Sequence, residues 1–333
     1  MVVERLLRWA TGVYAPGDMG RDVFVEGAAL GDEMRLSAAD VVFAPRGSGV
    51  HVVGPASVVP YDGALVEPGD ELRLDGGFAL TLVDYRSAAF RLVAGPTLVR
   101  VTSGEDWAAF VEDADLARSE GVFPAFLLDE PVVLGDLCAL GGGHRCVAER
   151  LGRLHVDAAG RLRPAPGGAT VERAAGTVNG VAGREICLAG VVADDVFADA
   201  VRARPWLGRY IAVLAVLRRV RRVRRGPVRV SGFGFRLLPG LAGAHERPDA
   251  PVLVSSQGQF LVVDGTSGRV VRVTPDAARV VELCQTAESP AAVLDRAADW
   301  WRLPEATARA AVTSVAAGLR AAGMTLPVEV GHA

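Results

Sequence analysis

The chain opens with apolar residues at helical spacing from Val2 to Trp9, and then its pattern changes. From Asp22 to about Val101 short apolar runs alternate with breakers. The runs are Val23-Phe-Val, Val41-Val-Phe, Val50-His-Val-Val, Glu71-Leu-Arg-Leu, Phe78-Ala-Leu-Thr-Leu-Val and Phe90-Arg-Leu-Val. Between them stand turn formers such as Pro45-Arg-Gly, Tyr61-Asp-Gly, Pro68-Gly-Asp, Asp75-Gly-Gly and Gly95-Pro. Strand-length runs punctuated this often predict an antiparallel sandwich or barrel. Ser103-Gly-Glu-Asp106 then reads as a capping box opening a helix at Trp107-Ala-Ala-Phe-Val. To about Arg225 the pattern is mixed. Apolar runs sit at Phe126-Leu-Leu and Val132-Val-Leu, and a hairpin turns at Ala159-Gly160. Helices are expected over Asp194 to Arg204 and Leu207 to Arg225. Residues 226–250, rich in Gly and Pro, read as a linker.

The last stretch has the clearest local signals. Strands are predicted at Pro251-Val-Leu-Val-Ser-Ser, Gln259-Phe-Leu-Val-Val-Asp and Arg269-Val-Val-Arg-Val. Gly265-Thr-Ser-Gly268 joins the second to the third as a hairpin. Three helices follow, opening near Pro275, Pro290 and Pro304, because proline suits a first helical position where an N–H would have no partner. Thr274 and Ser289 precede two of these prolines as N-caps, Asp276 and Glu305 put negative charge in first turns, and Gly323 ends the last helix. The expected fold class is therefore α+β and multidomain. A β-rich sandwich or barrel-like block covers 1–101, a mixed α/β block 102–225, a linker 226–250, and a winged-helix-like module of three strands and three helices 251–326.

Composition narrows the chemistry. Half of the 333 residues are hydrophobic and the net charge is only -3, so sizeable cores are affordable and no global attraction for polyanions exists. All 36 basic residues are arginine. The absence of lysine excludes a lysine Schiff base and a Walker-type lysine. No apolar run approaches the roughly 20 residues of a membrane span, and no signal peptide is evident, so a cytoplasmic protein is expected. Four cysteines in a chain of this length do not make a disulfide scaffold.

Gly47-Ser-Gly49 and Gly232-Phe-Gly234 lack the spacing or the following helix of a phosphate loop, and read as turn glycines. Cys138, His144, Cys146 and Cys187 are the one candidate metal set, with His144 needed as the fourth ligand. Their spacing is not that of a zinc module, and buried thiols serving as small hydrophobes explain them better. The five histidines are scattered and no nucleophile elbow is present. The sharpest charge feature is Arg218-Arg-Val-Arg-Arg-Val-Arg-Arg225, in which Arg218, Arg219, Arg221, Arg222, Arg224 and Arg225 surround a helix with positive charge. Such a run serves as a solvated helix end, or attracts a polyanion: an acidic segment of a partner or a nucleic acid.

The run Phe260-Leu-Val-Val-Asp-Gly, continued by Gly268-Arg-Val-Val-Arg-Val-Thr-Pro-Asp-Ala-Ala-Arg-Val-Val-Glu-Leu and ending in Gly318-Leu-Arg-Ala-Ala-Gly-Met, resembles the PqqD-like family. Its members are recognition elements that hold precursor peptides of ribosomally made, post-translationally modified peptides. The Arg-Trp-Ala-Thr-Gly start and the Leu-Asp-Glu-Pro-Val-Val-Leu-Gly-Asp-Leu-Cys centre are similar to recognition proteins of daptide-type gene clusters. The resemblance implies a non-catalytic protein without cofactors. Its partners would be the leader of a precursor peptide and the enzymes that modify it: an oxidative decarboxylase, an aminotransferase and a methyltransferase. It implies that the leader lies beside the third strand and against the third helix. Carried over, the strand is Arg269, Val270, Val271, Arg272 and Val273, and the helix offers Arg309, Val312, Thr313, Ala316 and Arg320. Val271→Pro is then expected to remove an edge N–H and weaken binding without unfolding. Two other classes remain: a metal-dependent peptide-modifying enzyme using the cysteines, and a winged-helix DNA-binding regulator. From 251 to 333 eight acids stand against seven arginines, which argues against nucleic acid as a partner.

Overall fold

The computed structural model describes residues 2–14, 20–27, 37, 40–50, 54–141, 152–171, 187–223, 226–241, 243–247, 249–265 and 267–328. The chain divides into two compact units, Met1–Glu112 with Pro124–Arg204, and Asp113–Phe123 with Pro205–Ala333. Both contain helices and a sheet, as the α+β expectation requires.

In the first unit helix α1 (Val2–Thr11) precedes strands β1 (Asp22–Val25), β2 (Val41–Pro45), β3 (Ser57–Gly63), β4 (Glu71–Leu74) and β5 (Ala79–Asp84). Helix α2 (Tyr85–Ala88), strand β6 (Thr97–Arg100), helix α3 (Gly104–Glu120), strand β7 (Val132–Leu134) and helix α4 (Leu137–Leu140) follow. Strands β8 (Arg153–Val156) and β9 (Leu162–Arg163) and helix α5 (Asp194–Ala203) complete it. The strands form one nine-stranded sheet in the order β7-β6-β5-β4-β3-β2-β1-β8-β9.

Five of its eight pairings are parallel, so the antiparallel sandwich expected from the turn pattern is replaced by a mixed sheet. Burial explains the difference. All four residues of β1 are buried, so the strand is covered on both faces, and Val23, Phe24 and Val25 read as a continuous apolar run without alternation. The sheet curls around α1. Leu6 and Trp9 share one core with Phe24, Phe43, Tyr61, Leu72, Leu82 and Leu98, which come from six successive strands. Trp9 stacks on Phe24 at 4.5 Å and donates from its indole nitrogen to the carbonyl of Leu154 at 2.9 Å. Phe24 stacks in turn on Tyr61, whose hydroxyl donates to the carbonyl of Val25 at 2.7 Å.

Local readings also change. Phe90-Arg-Leu-Val is not a strand: Phe90 and Leu92 are 91% and 96% exposed on the loop after α2. Tyr61-Asp-Gly is the end of β3 and not a turn. Of the expected strand at 50–53, residues 51–53 lie outside the described residues. The expected boundary at 101 falls inside this unit, because β7, β8 and β9 join the same sheet as β1 to β6.

The second unit contains the end of α3, helix α6 (Leu207–Val223), and strands β10 (Val228–Val230), β11 (Val252–Ser256), β12 (Gln259–Val263) and β13 (Val270–Val273). Helices α7 (Pro275–Thr286), α8 (Pro290–Trp301) and α9 (Glu305–Ala321) follow. The sheet is antiparallel with the order β10-β11-β12-β13. Its fourth strand comes from the stretch that composition marks as a linker. That stretch is anchored, since the fully buried Glu282 of α7 accepts from the Ser231 hydroxyl and from the N–H groups of Leu237 and Leu238. Each of these charge-assisted bonds offsets part of the cost of burying a carboxylate.

The caps form as expected. Thr274 accepts from the N–H of Ala277 and Ser289 from that of Ala292, both at 3.2 Å. Pro304 differs, standing before α9 as its cap residue. Leu253 and Val262 face a core shared with α7, α8 and α9. Val252, Val254, Leu261 and Val263 are buried on the opposite face, where α6 packs along β10 and β11. The three C-terminal strands are thus one wall of a helix–sheet–helix sandwich.

Candidate functional site

The β12–β13 hairpin is set by Gly268, whose φ of 72° suits a residue without Cβ. Its N–H donates to the carbonyl of Asp264 at 2.9 Å, while the N–H of Asp264 donates to the carbonyl of Arg269 at 2.9 Å. Two residues therefore face one, which is a glycine-headed bulge. The bulge fixes which groups point where. Asp264 opposite Arg269 is a hydrogen-bonded pair, and in an antiparallel ladder such pairs alternate. Val262 opposite Val271 is then bonded as well, so the main-chain groups of Val271 point at β12. Those of Val270 and Arg272 point away from it.

β13 is the last strand of its sheet, and no described strand pairs with its outer margin. Side chains divide by the same parity. Val271 and Val273 pack half-buried against the core shared with α7, α8 and α9. Val270 and Arg272 are exposed on the face that α6 covers further in. Arg269 is exposed and donates to the carbonyl of Ala322 at 3.3 Å, joining the start of β13 to the end of α9, where positive charge is favourable. The strand candidates thus lie together on an accessible edge, but Val271 does not have the outward N–H expected of it.

The helix candidates separate. Val312 and Ala316 are core residues at 0% and 7% exposure and are not available to a ligand. Thr313 is half-buried, Arg320 is exposed, and Arg309 pairs with Glu305 at 2.7 Å one turn before it. The stripe of α9 at i, i+3 and i+4 spacing is what the core needs, and its burial removes it from the site.

In the arginine run, Arg219, Arg221 and Arg222 are exposed at the end of α6, Arg218 is half-buried and Val220 is core. The guanidinium of Arg219 lies over Gly268, where a Cβ would collide with it. The basic end of α6 is therefore next to the turn that starts β13. Arg224 and Arg225 lie outside the described residues.

Two of the metal candidates, His144 and Cys146, also lie outside the described residues. The other two meet. Cys138 and Cys187 are buried with their sulfurs 4.0 Å apart. No group of three or more metal-binding side chains occurs among the described residues. Instead Arg153 donates to the Cys138 sulfur at 3.4 Å and to Asp136 at 2.7 Å. Asp136 also receives Arg100 at 2.7 Å. Burial opposes charge on Arg153, but Cys138, Asp136 and Cys187 outweigh it and hold the guanidinium's pKa well above its ordinary value. Sequence reading found the cysteines and missed the ions around them, because Arg100, Asp136 and Arg153 meet only through the sheet. The one hint is Asp136 itself, held at φ 52° directly after a glycine.

A shallow depression of the first unit is lined by Asp84, Arg86, Ser87, Phe90, Thr102, Ser103 and Asp106. Its carboxylates serve helix starts. Asp84 accepts from the N–H of Ser87, and Asp106 accepts from the N–H groups of Thr102 and Arg86. Only half of the expected capping box forms, with the Ser103 hydroxyl accepting from the N–H of Asp106.

Gly232 and Gly234 have positive φ and pack against Glu246 and the Glu120–Gly121 backbone, as turn glycines do. No helix among the described residues is long and apolar enough to cross a membrane. Comparison with protein-family models, with curated proteins and with solved structures returns no match.

Proposed function

We propose that the second unit captures the leader of a precursor peptide, of the kind modified after ribosomal synthesis, as an added strand on the outer margin of β13. The single observation that carries this reading is the position of β13 at the end of its sheet, with no described strand on its far side. Val270 and Arg272 each present an N–H and a C=O outward, which gives four main-chain bonds to a guest. At about 0.5–1.5 kcal/mol net each, with two apolar anchors, they offset the cost of association and support micromolar binding. Side-chain parity supports a choice of guest. Residues beside Val271 and Val273 meet the apolar side, and residues beside Val270 and Arg272 meet the arginine-bearing side. An alternating apolar and acidic segment suits both. The resemblance to PqqD-like and daptide-type recognition proteins favours the same reading. The winged-helix description of this module belongs to it, as does the role of the first unit in meeting the modifying enzymes, for which the exposed Phe90 and Leu92 offer apolar contacts.

The test is fluorescence anisotropy of the labelled leader encoded beside this gene, titrated with the full chain. Arg272→Pro removes an outward N–H and leaves the β12 ladder intact, so affinity falls roughly three- to tenfold with an unchanged melting temperature. Val271→Pro breaks an inward bond and lowers the melting temperature instead. Wild-type affinity in Arg272→Pro would sink the reading.

A further inference from the structure

We infer that Cys138 and Cys187 are a site of reversible oxidation, a buried dithiol that hydrogen peroxide converts to one disulfide. The two sulfurs belong to parts of the chain 49 residues apart and meet at 4.0 Å. A disulfide requires about 2.05 Å, a gap closed by side-chain rotation and a small shift of the short segments that carry the two residues. Cys138 is in the single turn α4, and Cys187 begins a turn held by bonds from Val191 and Val192 to the Leu188 carbonyl.

The surroundings favour this chemistry over the alternatives. Arg153 puts a permanent cation on the Cys138 sulfur at 3.4 Å, where it stabilises ionised sulfur and competes with a bound metal ion. One carboxylate, Asp136, faces two guanidinium groups, and Arg153 shares its other donors between the carbonyls of Trp9 and Ala10 and the Cys138 sulfur. Cys138, at 5% exposure against 1% for Cys187, is the sulfur a small oxidant reaches first.

The Cys138 sulfur attacks one peroxide oxygen, the O–O bond breaks, and Cys138 becomes a sulfenic acid with release of water. The Cys187 sulfur then attacks the Cys138 sulfur, forming the S–S bond and releasing the second water. Two thiols lose two electrons and two protons, and the peroxide accepts both. Cys284 is an internal control. It lies in the core of the second unit, distant in sequence from the pair, with its thiol pushed up to about 12 by burial.

The experiment treats the full chain with hydrogen peroxide, alkylates remaining thiols after denaturation, and maps peptides by mass. The expected product is a cross-linked pair carrying Cys138 and Cys187, lighter by two hydrogen atoms. It should revert with dithiothreitol, melt at a higher temperature than the reduced chain, and vanish in Cys187→Ala. Cys284 stays alkylatable throughout. Three results would overturn the assignment: both thiols remaining alkylatable, Cys138 joined to Cys146 in place of Cys187, or stoichiometric zinc held on these sulfurs in the untreated protein.

Discussion

His155 shows how one buried side chain sets a dependence on pH. Its ring is 1% exposed beside Trp9 and Phe24 on the inner face of the curled sheet. Nε2 meets the Glu26 carboxylate, and Nδ1 has no partner among the described residues. Burial lowers the pKa below 6.5, and the opposing pull of Glu26 does not overcome it. The unfolded chain therefore takes up a proton that the folded chain resists. Stability is fully present above pH about 6.5 and is lost as pH falls toward the depressed folded value. Thermal melts from pH 8 to pH 5 should show this decline, and His155→Gln, which keeps a donor toward Glu26, should flatten it. An equal slope in the variant would assign the decline to other groups. None of this is legible in the sequence, where His155 is one histidine in a hairpin. Burial is conferred by α1 and β1, which are far away in the chain.

At the scale of elements, α9 and the β12–β13 hairpin show what local pattern reveals. The apolar repeat of α9 is visible in the sequence, but a repeat identifies a buried face without identifying its partner. Core and ligand groove look alike until the neighbouring helices are in place. Val312 is the discriminating residue. Val312→Ala removes two methyl groups from a fully buried position and should cost roughly 1–3 kcal/mol of stability in denaturant titrations. The leader affinity of the folded fraction should be unchanged. Reduced affinity without lost stability would return this residue to the site. The hairpin is the opposite case. Gly265 and Gly268 predict the turn, and the bulge at Gly268 decides which main-chain groups face outward. That one-residue count moves the useful proline from position 271 to 272.

At the scale of the molecule, the stretch 251–326 has the clearest sequence signals but is only part of a unit. Val252, Val254, Leu261 and Val263 are buried on the sheet face where α6 packs, and α6 belongs to residues 207–223. Exposing four aliphatic side chains costs roughly 6 kcal/mol or more, comparable to the whole stability of a small domain. Residues 113–123 contribute too. Arg118 donates to the Ala244 carbonyl at 2.6 Å and pairs with the buried Glu246 at 3.2 Å. A fragment of residues 251–328 should therefore lack a cooperative melt by circular dichroism, while the full chain melts cooperatively. A fragment with a sharp transition and dispersed amide resonances would contradict the unit boundaries.

Features whose partners lie within a few residues are legible in the amino-acid order alone. These are the capped starts of α7 and α8, the Gly268 turn, the hairpin at Gly160, and the start of α3 at Ser103. Their hydrogen bonds are local, so composition and spacing specify them. The parallel order of β1, β2 and β3, the entry of β10 into the second sheet, and the burial of Val312 come from packing between distant segments. So does the meeting of Cys138 with Cys187 and Arg153. Each of these joins groups that are distant along the chain. Such contacts form only when one buried surface covers another, and no local run of residues records which surface that will be.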